Sequence, residues 1–416
     1  MKNFWIVLSS IFIINSYVFA EEITRETVKI QTLKNNPSIA AAKLSLKNAK
    51  QEYITSIGAF LPEINFESSA LTNNFEKDFS YFHKLEASLN LFSGFGTYSD
   101  VKTNALKLKS AQAHYNKIVS DALYKAAAAH IDLMWAYEKV KLLECIKEKK
   151  IESKNMIELK YNSGNCNITS LKKEEADTAI VENDLKTAQR YIKTASSNLL
   201  EAIGRNDITS VLETNERLDC LEKLPQEPDY NNLITAMPEF LMAQYNLDSC
   251  KIQSLKAKGQ WLPSLHLGGE IPLFDNKQTV CKQNMAAKIS LSFKIFTGGE
   301  RYSKTQIASN NLKIASENLK NTANLLKAEA VKYYNSLLDA YELVAVKTQY
   351  LSATKLQAEI SAKEYVSGLV NYNNWHSIEK DYILAQIELL DAKKSAALKR
   401  VHWDTFTGKE SQGEII

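Results

Sequence analysis

The sequence predicts a mainly α fold with a small antiparallel β part: a duplicated long-helix coiled-coil architecture with four strands per chain. Three observations carry this. Glycine and proline are scarce, 13 and 7 in 416 residues, below the usual share of about 7% and 5%, so helices can run long. Two stretches, 84–92 and 287–295, alternate apolar and polar residues with period two. A set of short motifs also occurs twice in the same order.

At the N-terminus, Lys2 precedes an apolar run from Phe4 to Ile14 broken only by Ser9 and Ser10. Val18-Phe19-Ala20 and the acidic Glu21-Glu22 follow. This is the layout of a secretory signal peptide cleaved after Ala20, and the run is shorter than the roughly 20 residues of a spanning helix. Residues 1–20 are therefore set apart from the fold. No other run approaches a transmembrane helix, so a membrane could be crossed only by strands, which need about 10 residues each.

The net charge of +3 gives no bias toward nucleic acid. The five cysteines (Cys145, Cys166, Cys220, Cys250 and Cys281) form no CxxC pair, and their spacing suits neither a disulfide framework nor a zinc site. They read as free thiols, with pairing of Cys166 or Cys250 left open.

The duplication is explicit. Tyr161-Asn162-Ser163-Gly164 answers to Tyr365-Val366-Ser367-Gly368, an offset of 365 − 161 = 204. The same offset relates Ala136-Tyr137-Glu138 to Ala340-Tyr341-Glu342, Phe92-Ser93-Gly94 to Phe296-Thr297-Gly298, and Gly204 to Gly408. Leu61-Pro62 and Leu262-Pro263 match at an offset of 201. The expected organisation is a first repeat over 21–204, a linker over 205–235, a second repeat over 236–408 and a tail over 409–416.

Within each copy the elements follow from local chemistry. Pro37 and Pro238 suit the first turn of a helix, and Pro62 and Pro263 stop those helices and open strands. Strand pairs are expected over about 62–92 and 263–297. Leu85, Ala87, Leu89 and Leu91 share one face, with Lys84, Glu86, Ser88 and Asn90 on the other. Likewise Ala287, Ile289, Leu291, Phe293 and Ile295 oppose Lys288, Ser290, Ser292 and Lys294. Pro272 ends the third strand or sits at an edge.

Gly94 and Gly96, and Gly298 and Gly299, turn the chain sharply from strand to helix; neither site completes a phosphate-binding loop. From 97 to 160 and from 301 to 367 no proline or glycine occurs, enough for rods of about 100 Å at 1.5 Å per residue. The heptad stripe Leu337, Ala340, Val344, Lys347, Leu351, Thr354, Ala358 and Ser361 is small and mixed. It suits a curved helical wall that is wet on one side.

Four strands cannot close a barrel around a pore, since small barrels need about eight. A symmetric trimer would supply twelve (3 × 4). The apolar strand face would then meet lipid and the polar face would line water. A small soluble sheet with one buried face shows the same alternation.

The doubled order of helix, Leu-Pro strand, loop, strand, Phe-x-Gly turn, long helix and Tyr-x-x-Gly hairpin resembles the TolC family of outer-membrane factors, over nearly the whole mature chain. The resemblance implies a homotrimer in the cell outer membrane, a twelve-stranded barrel in lipid, and a long periplasmic tunnel of helices, with residues 205–235 as its equatorial belt. It implies two partners, a periplasmic adaptor (membrane fusion protein) and an inner-membrane RND or ABC transporter, in efflux or type I secretion.

The resemblance also implies that the Tyr-x-x-Gly hairpins converge at the periplasmic tip and gate the tunnel. The tip set is then Tyr161, Gly164, Ser170, Tyr365, Gly368, Val370, Asn374, Trp375 and Ser377. Positions that are often acidic in the family hold Ser170, Asn374 and Ser377, and its better-known gate arginine is replaced by Val370. The expected closure is therefore by packing and neutral hydrogen bonds from Tyr365, Asn374, Trp375 and His376.

No catalytic, cofactor or metal constellation stands out. The six histidines are scattered, and none forms HExxH or an HxH pair with nearby carboxylates. Lys172-Lys173 and Glu174-Glu175 read as a solvated helix face. The competing function is an exported periplasmic or surface coiled-coil structural or adaptor protein without a pore. Such a protein has no need of the alternating strand pairs.

Overall fold

The computed structural model describes residues 21–71, 80–207, 209–218, 223–274 and 285–408. The expected signal peptide, the loops within 72–79 and 275–284, Cys220, Cys281 and the tail from 409 lie outside the described residues.

The chain opens with β1 (Glu21–Glu22), α1 (Arg25–Asn35) and α2 (Pro37–Gly58), followed by β2 (Glu63–Leu71) and β3 (Ser80–Ser93). The 67-residue α3 (Gly96–Asn162) and α4 (Ile168–Ile203) form a helical hairpin. After β4 (Leu212–Glu213) and α5 (Tyr230–Thr235) the order returns: α6 (Pro238–Gly259), β5 (Ser264–Phe274), β6 (Ala286–Ser292), α7 (Glu300–Val366, again 67 residues) and α8 (Tyr372–Phe406). Helices α2 and α6 begin on their prolines. Asn36 caps α2 by accepting from the backbone N–H of Ser38 and Ile39.

Two compact units emerge, and each draws on both halves of the sequence. One gathers the described parts of Met1–Thr32, Ala126–Leu221 and Val344–Lys394; the other gathers those of Leu33–Lys125, Glu222–Leu343 and Ser395–Ile416.

In the first unit, Leu133, Leu199, Leu200 and Ile203 pack with Ile23, Val28 and Leu212. The brief parallel pairing of β1 with β4 joins Glu21 to Leu212 and Glu22 to Glu213. Tyr137 donates to the carbonyl of Leu212 (2.8 Å), and the Leu218 N–H donates to Glu138 (2.8 Å). A second cluster forms around Leu143, Ile146 and Leu185. Along α7, residues 344, 347, 351, 354, 358 and 361 are buried or half-buried, and every residue between them is exposed. This is the predicted heptad stripe, a single narrow seam.

The second unit holds the sheet, in the order β2-β3-β5-β6 with all neighbours antiparallel. Its helical core is aromatic, with Tyr334, Leu337 and Trp403 fully packed. The central strand pair, β3 with β5, joins the two halves of the sequence. Pro272 does not end its strand: β5 runs on to Phe274, and Pro272 is the register partner of Lys84 on β3, beyond the last β5–β6 pair, Glu270 with Ala286.

Two expectations at the junctions need correction. Strand β6 ends at Ser292, so Lys294 lies beyond the sheet. Arg301 of α7 explains the early end. Its guanidinium donates to the carbonyls of Ile295 (3.1 Å) and Gln260 (3.4 Å) and covers the rings of Trp261 and Phe293, which bends the segment off the strand. In the first copy the left-handed residues are Gly94 (φ 60°) and Phe95 (φ 65°), not Gly96, which opens α3. The corresponding second-copy residues, 204 positions on, are Gly298 and Gly299.

Candidate functional site

Two regions collect the candidate residues: the ends of the helical hairpins in one unit, and the faces of the sheet in the other.

Each hairpin end is built by its Tyr-x-x-Gly motif. Gly164 and Gly368 take left-handed φ values of 76° and 79°. The Asn165 N–H donates to the Lys160 carbonyl and the Gly164 N–H to that of Tyr161. The Leu369 N–H donates to Glu364 and the Gly368 N–H to Tyr365 in the same pattern. This is the Schellman motif, which needs a residue without Cβ strain at the position after the helix cap. Asn167 and Asn371, again 204 apart, then cap α4 and α8 by accepting from Thr169 and Asn374.

Behind the turns, Ile157, Leu171, Tyr365 and Trp375 form a buried cluster, with Val370 and Tyr372 against it. The Tyr365 and Trp375 rings stack at 4.8 Å. Lys160 lies 3.9 Å over the Tyr365 ring and donates to its carbonyl (2.7 Å), which ties one hairpin to the other. Burial, followed by contact with Cys166, pushes the Tyr365 phenol up to about 12. Ser170 is buried beside this cluster, whereas Asn374, Ser377 and Tyr161 are exposed. Of the expected neutral tip, Tyr365, Trp375 and His376 come together and the Asn374 side chain does not.

The expected solvated face is wrong for Glu174, which is 0% exposed. It belongs to a buried charged network. Lys150 (4% exposed) donates to Glu379 (2.8 Å) and reaches Glu174 at 3.5 Å. Ser153 donates to Glu379 (2.9 Å) and Tyr372 to Glu174 (3.0 Å). His376 Nδ1 lies 2.8 Å from Glu174, and Nε2 lies 3.3 Å from Asp177. Burial pushes the Glu174 carboxyl up, but hydrogen bonds from His376 and Tyr372 and the Lys150 charge outweigh it and hold it below the ordinary value. Burial likewise opposes the charge on Lys150, and Glu379 and Glu174 overcome it.

Glu174, His376 and Glu379 bring one ligand-type atom each within 4.8 Å of one another. The Lys150 ammonium already stands against both carboxylates and the imidazole is held between two acids, so this set is ion-paired and we assign no metal to it.

Phase along the helices would have revealed the network. Leu143, Ile146, Lys150, Ser153 and Ile157 follow three-four spacing on the buried side of α3, and Leu171, Glu174 and Thr178 do so on α4. A charged residue in phase with an apolar seam is a buried charge, whatever its neighbours in sequence.

In the sheet, the register places Ile64 opposite Ala87, Phe66 opposite Leu85, Leu85 opposite Ile271, and Leu267 opposite both Leu89 and Ile289. One face is thus apolar across all four strands. Ile64, Phe66, Ile289 and Leu291 are 62–70% exposed on it in the single chain. The opposite face pairs Glu67 with Lys84, Asn65 with Glu86, Glu63 with Ser88, Asn90 with His266, and His266 with Ser290. Lys84, Glu86, Ser88, Asn90, Lys288, Ser290 and Ser292 all lie on this polar face, and Lys84 is paired with Glu67 at 3.0 Å. No described helix is long and apolar enough to cross a membrane.

The family model of the outer membrane efflux protein matches residues 30–205 and 230–408. The chain belongs to the outer membrane efflux protein family. Among curated proteins none matches it by sequence. Solved structures match its fold along nearly the whole length.

CusC, whose crystal structures concern folding and transmembrane channel formation, superposes with a TM-score of 0.84 at 16% identity, over 94% of this chain and 93% of its own. The outer membrane protein VceC of Vibrio cholerae gives 0.80 at 16%, covering 92% and 96%. The CmeC outer membrane channel of Campylobacter jejuni gives 0.79 at 17%, covering 92% and 85%. At these identities the likeness is one of fold. It places the efflux protein's four strands and two helical hairpins in the architecture of these channels, the TolC-family arrangement implied by the doubled motifs.

Proposed function

We propose that three copies of the chain assemble into an outer-membrane duct that passes cargo from an inner-membrane RND or ABC transporter and its periplasmic adaptor to the outside. The observation that carries this reading is the sheet. It has four strands, two open edges (β2 and β6) and an exposed apolar face. Open edges leave backbone groups unpaired, which a membrane does not tolerate.

Strand direction supports closure with copies of the same chain. Because the four strands alternate direction, β6 of one copy and β2 of the next run antiparallel. Three copies therefore continue the alternation around a ring of twelve (3 × 4) without a parallel seam. The apolar face then meets lipid, and Lys84, Glu86, Ser88, Asn90, Lys288, Ser290 and Ser292 line water.

The hairpin ends, with Tyr365, Trp375 and the network around Glu174, form the periplasmic gate in this reading. The family and the channel character of CusC and CmeC favour a duct. Efflux and type I secretion both fit, since a generic polar lining moves what the transporter delivers. We also read the chain as a tandem duplication, with copies over 21–204 and 236–408 joined by 205–235.

The test is conductance of the detergent-extracted protein in a planar lipid bilayer, with its mass from light scattering. Stable single-channel steps from a trimer support the duct. A monomer that stays soluble without detergent and conducts nothing overturns it in favour of an exported coiled-coil protein.

A further inference from the structure

His376 is 5% exposed and turns both ring nitrogens toward carboxylates: Nδ1 toward Glu174 Oε1 at 2.8 Å and Nε2 toward Asp177 Oδ2 at 3.3 Å. A neutral imidazole has one N–H and one lone pair. It satisfies one of these oxygens and turns its lone pair toward the other; with Nε2–H on Asp177, the Nδ1 lone pair can accept only from the Tyr372 hydroxyl, 3.4 Å away, at the expense of that hydroxyl's bond to Glu174. Only the imidazolium donates to both.

We infer that the hairpin end is a proton-binding site, in which doubly protonated His376 ties the first turns of α8 to α4, and that the tie loosens when His376 gives up a proton as pH rises. As a control on duct opening, this rests on the reading of the hairpins as a gate.

The groups around the imidazole come from four helices. Helix α3 supplies Lys150 and Ser153, α4 supplies Glu174 and Asp177, and α8 supplies Tyr372 and Glu379 beside His376 itself. Helix α7 contributes Tyr365, through its ring contact with Tyr372. With neutral His376, the Lys150 ammonium, which bonds Glu379 and reaches Glu174, is left facing both carboxylates with Asp177 nearby, and Lys173 stands farther off over the Tyr372 ring. The Tyr372 hydroxyl still donates to Glu174, so the contact weakens without disappearing. Protonation supplies the second positive charge and the second donor together. Acid therefore holds the hairpins together and alkali frees them.

Hydrogen exchange of the purified full chain in detergent, followed by mass spectrometry and corrected for intrinsic rates, reads the tie without depending on conduction. Between about pH 5.5 and about pH 8, peptides covering 168–180 and 365–385 should exchange about tenfold faster at the higher pH. That is the scale of losing one hydrogen bond to a charged group.

Two variants move in opposite directions. His376→Gln cannot carry the second proton and should exchange fast at both pH values. Asp177→Asn offers an amide N–H to Nε2, satisfies the neutral ring, and should exchange slowly at both. Asp177 is partly exposed, so this variant reports even where His376→Gln fails to fold. Equal wild-type exchange at the two pH values, or an undiminished pH response in Asp177→Asn, overturns the proposal. Conductance recorded on the same samples separates the two readings. Silence at every pH sinks the duct, while the exchange data still decide the proton site.

Discussion

Gly94 and Gly259 meet backbone to backbone, so that a Cβ on either would overlap the carbonyl oxygen of the other. The contact joins the strand-to-helix turn after β3 to the last residue of α6, and neither chain segment has a flexible side chain that could yield. Gly259→Ala and Gly94→Ala should each lower stability by about 2 kcal/mol or more. At Gly164 nothing lies within 4 Å and only the left-handed φ is at stake, so Gly164→Ala should cost about 1 kcal/mol. Thermal unfolding in detergent gives the ranking. A Gly259→Ala midpoint no lower than that of Gly164→Ala would show that the two segments separate easily.

Lys150 contacts both Glu174 and Glu379, and Lys150→Met leaves these carboxylates without its charge. Removing one partner of such a network costs about 3–5 kcal/mol. Pairing Lys150→Met with Glu379→Gln should recover part of that loss. Both effects are read from unfolding midpoints, and a loss below about 1 kcal/mol would mean that water screens the site.

Glu174 sets an acid limit. Its carboxyl is held below the ordinary value of 4.5, so the folded form binds its proton less readily than the unfolded form. The resulting stabilisation is fully present above that ordinary value and is lost as pH falls through the lower folded value. Unfolding measured against pH should steepen below about 4.5 in the wild type, and Glu174→Gln should flatten that limb.

In the proposed trimer the two faces of the sheet should respond differently to charge. Ile289→Lys places an ammonium on the apolar face and should cost about 2–4 kcal/mol in lipid, seen as loss of a heat-resistant trimer on a gel. Ser290→Lys, one residue along on the polar face, should keep the trimer and shift ion selectivity, seen in the reversal potential. The opposite result would invert the assignment of the faces.

Much of the fold was legible because its signals are local. Period-two alternation at 84–92, the prolines at 37, 62, 238 and 263, and the breaker-free stretches each fix an element by short-range sterics, and the 204-residue repetition reinforces them. Lys294 was misplaced because the end of β6 is set by Arg301, whose carbonyl partners are not adjacent in sequence. Phe95 was missed because a left-handed phenylalanine carries no compositional mark; its ring rests edge-on against Phe92. The buried network was missed for a related reason. Glu174 has charged neighbours on both sides and looks solvated in one dimension, and only its phase with Leu171 and Thr178 turns it inward.

The pairing of β3 with β5 carries a consequence for how the chain reaches its native state. His83 and Phe274 are register partners, as are Ser93 and Ser264, so the centre of the sheet cannot zip until the second half has emerged. The hairpin of α3 and α4 joins segments adjacent in sequence and can form early, before its end packs on Tyr365 and Trp375 of the second half. Until then the β2–β3 ribbon has an unpaired edge and an uncovered apolar face. A cut between the two halves would strand the first one in an aggregation-prone state.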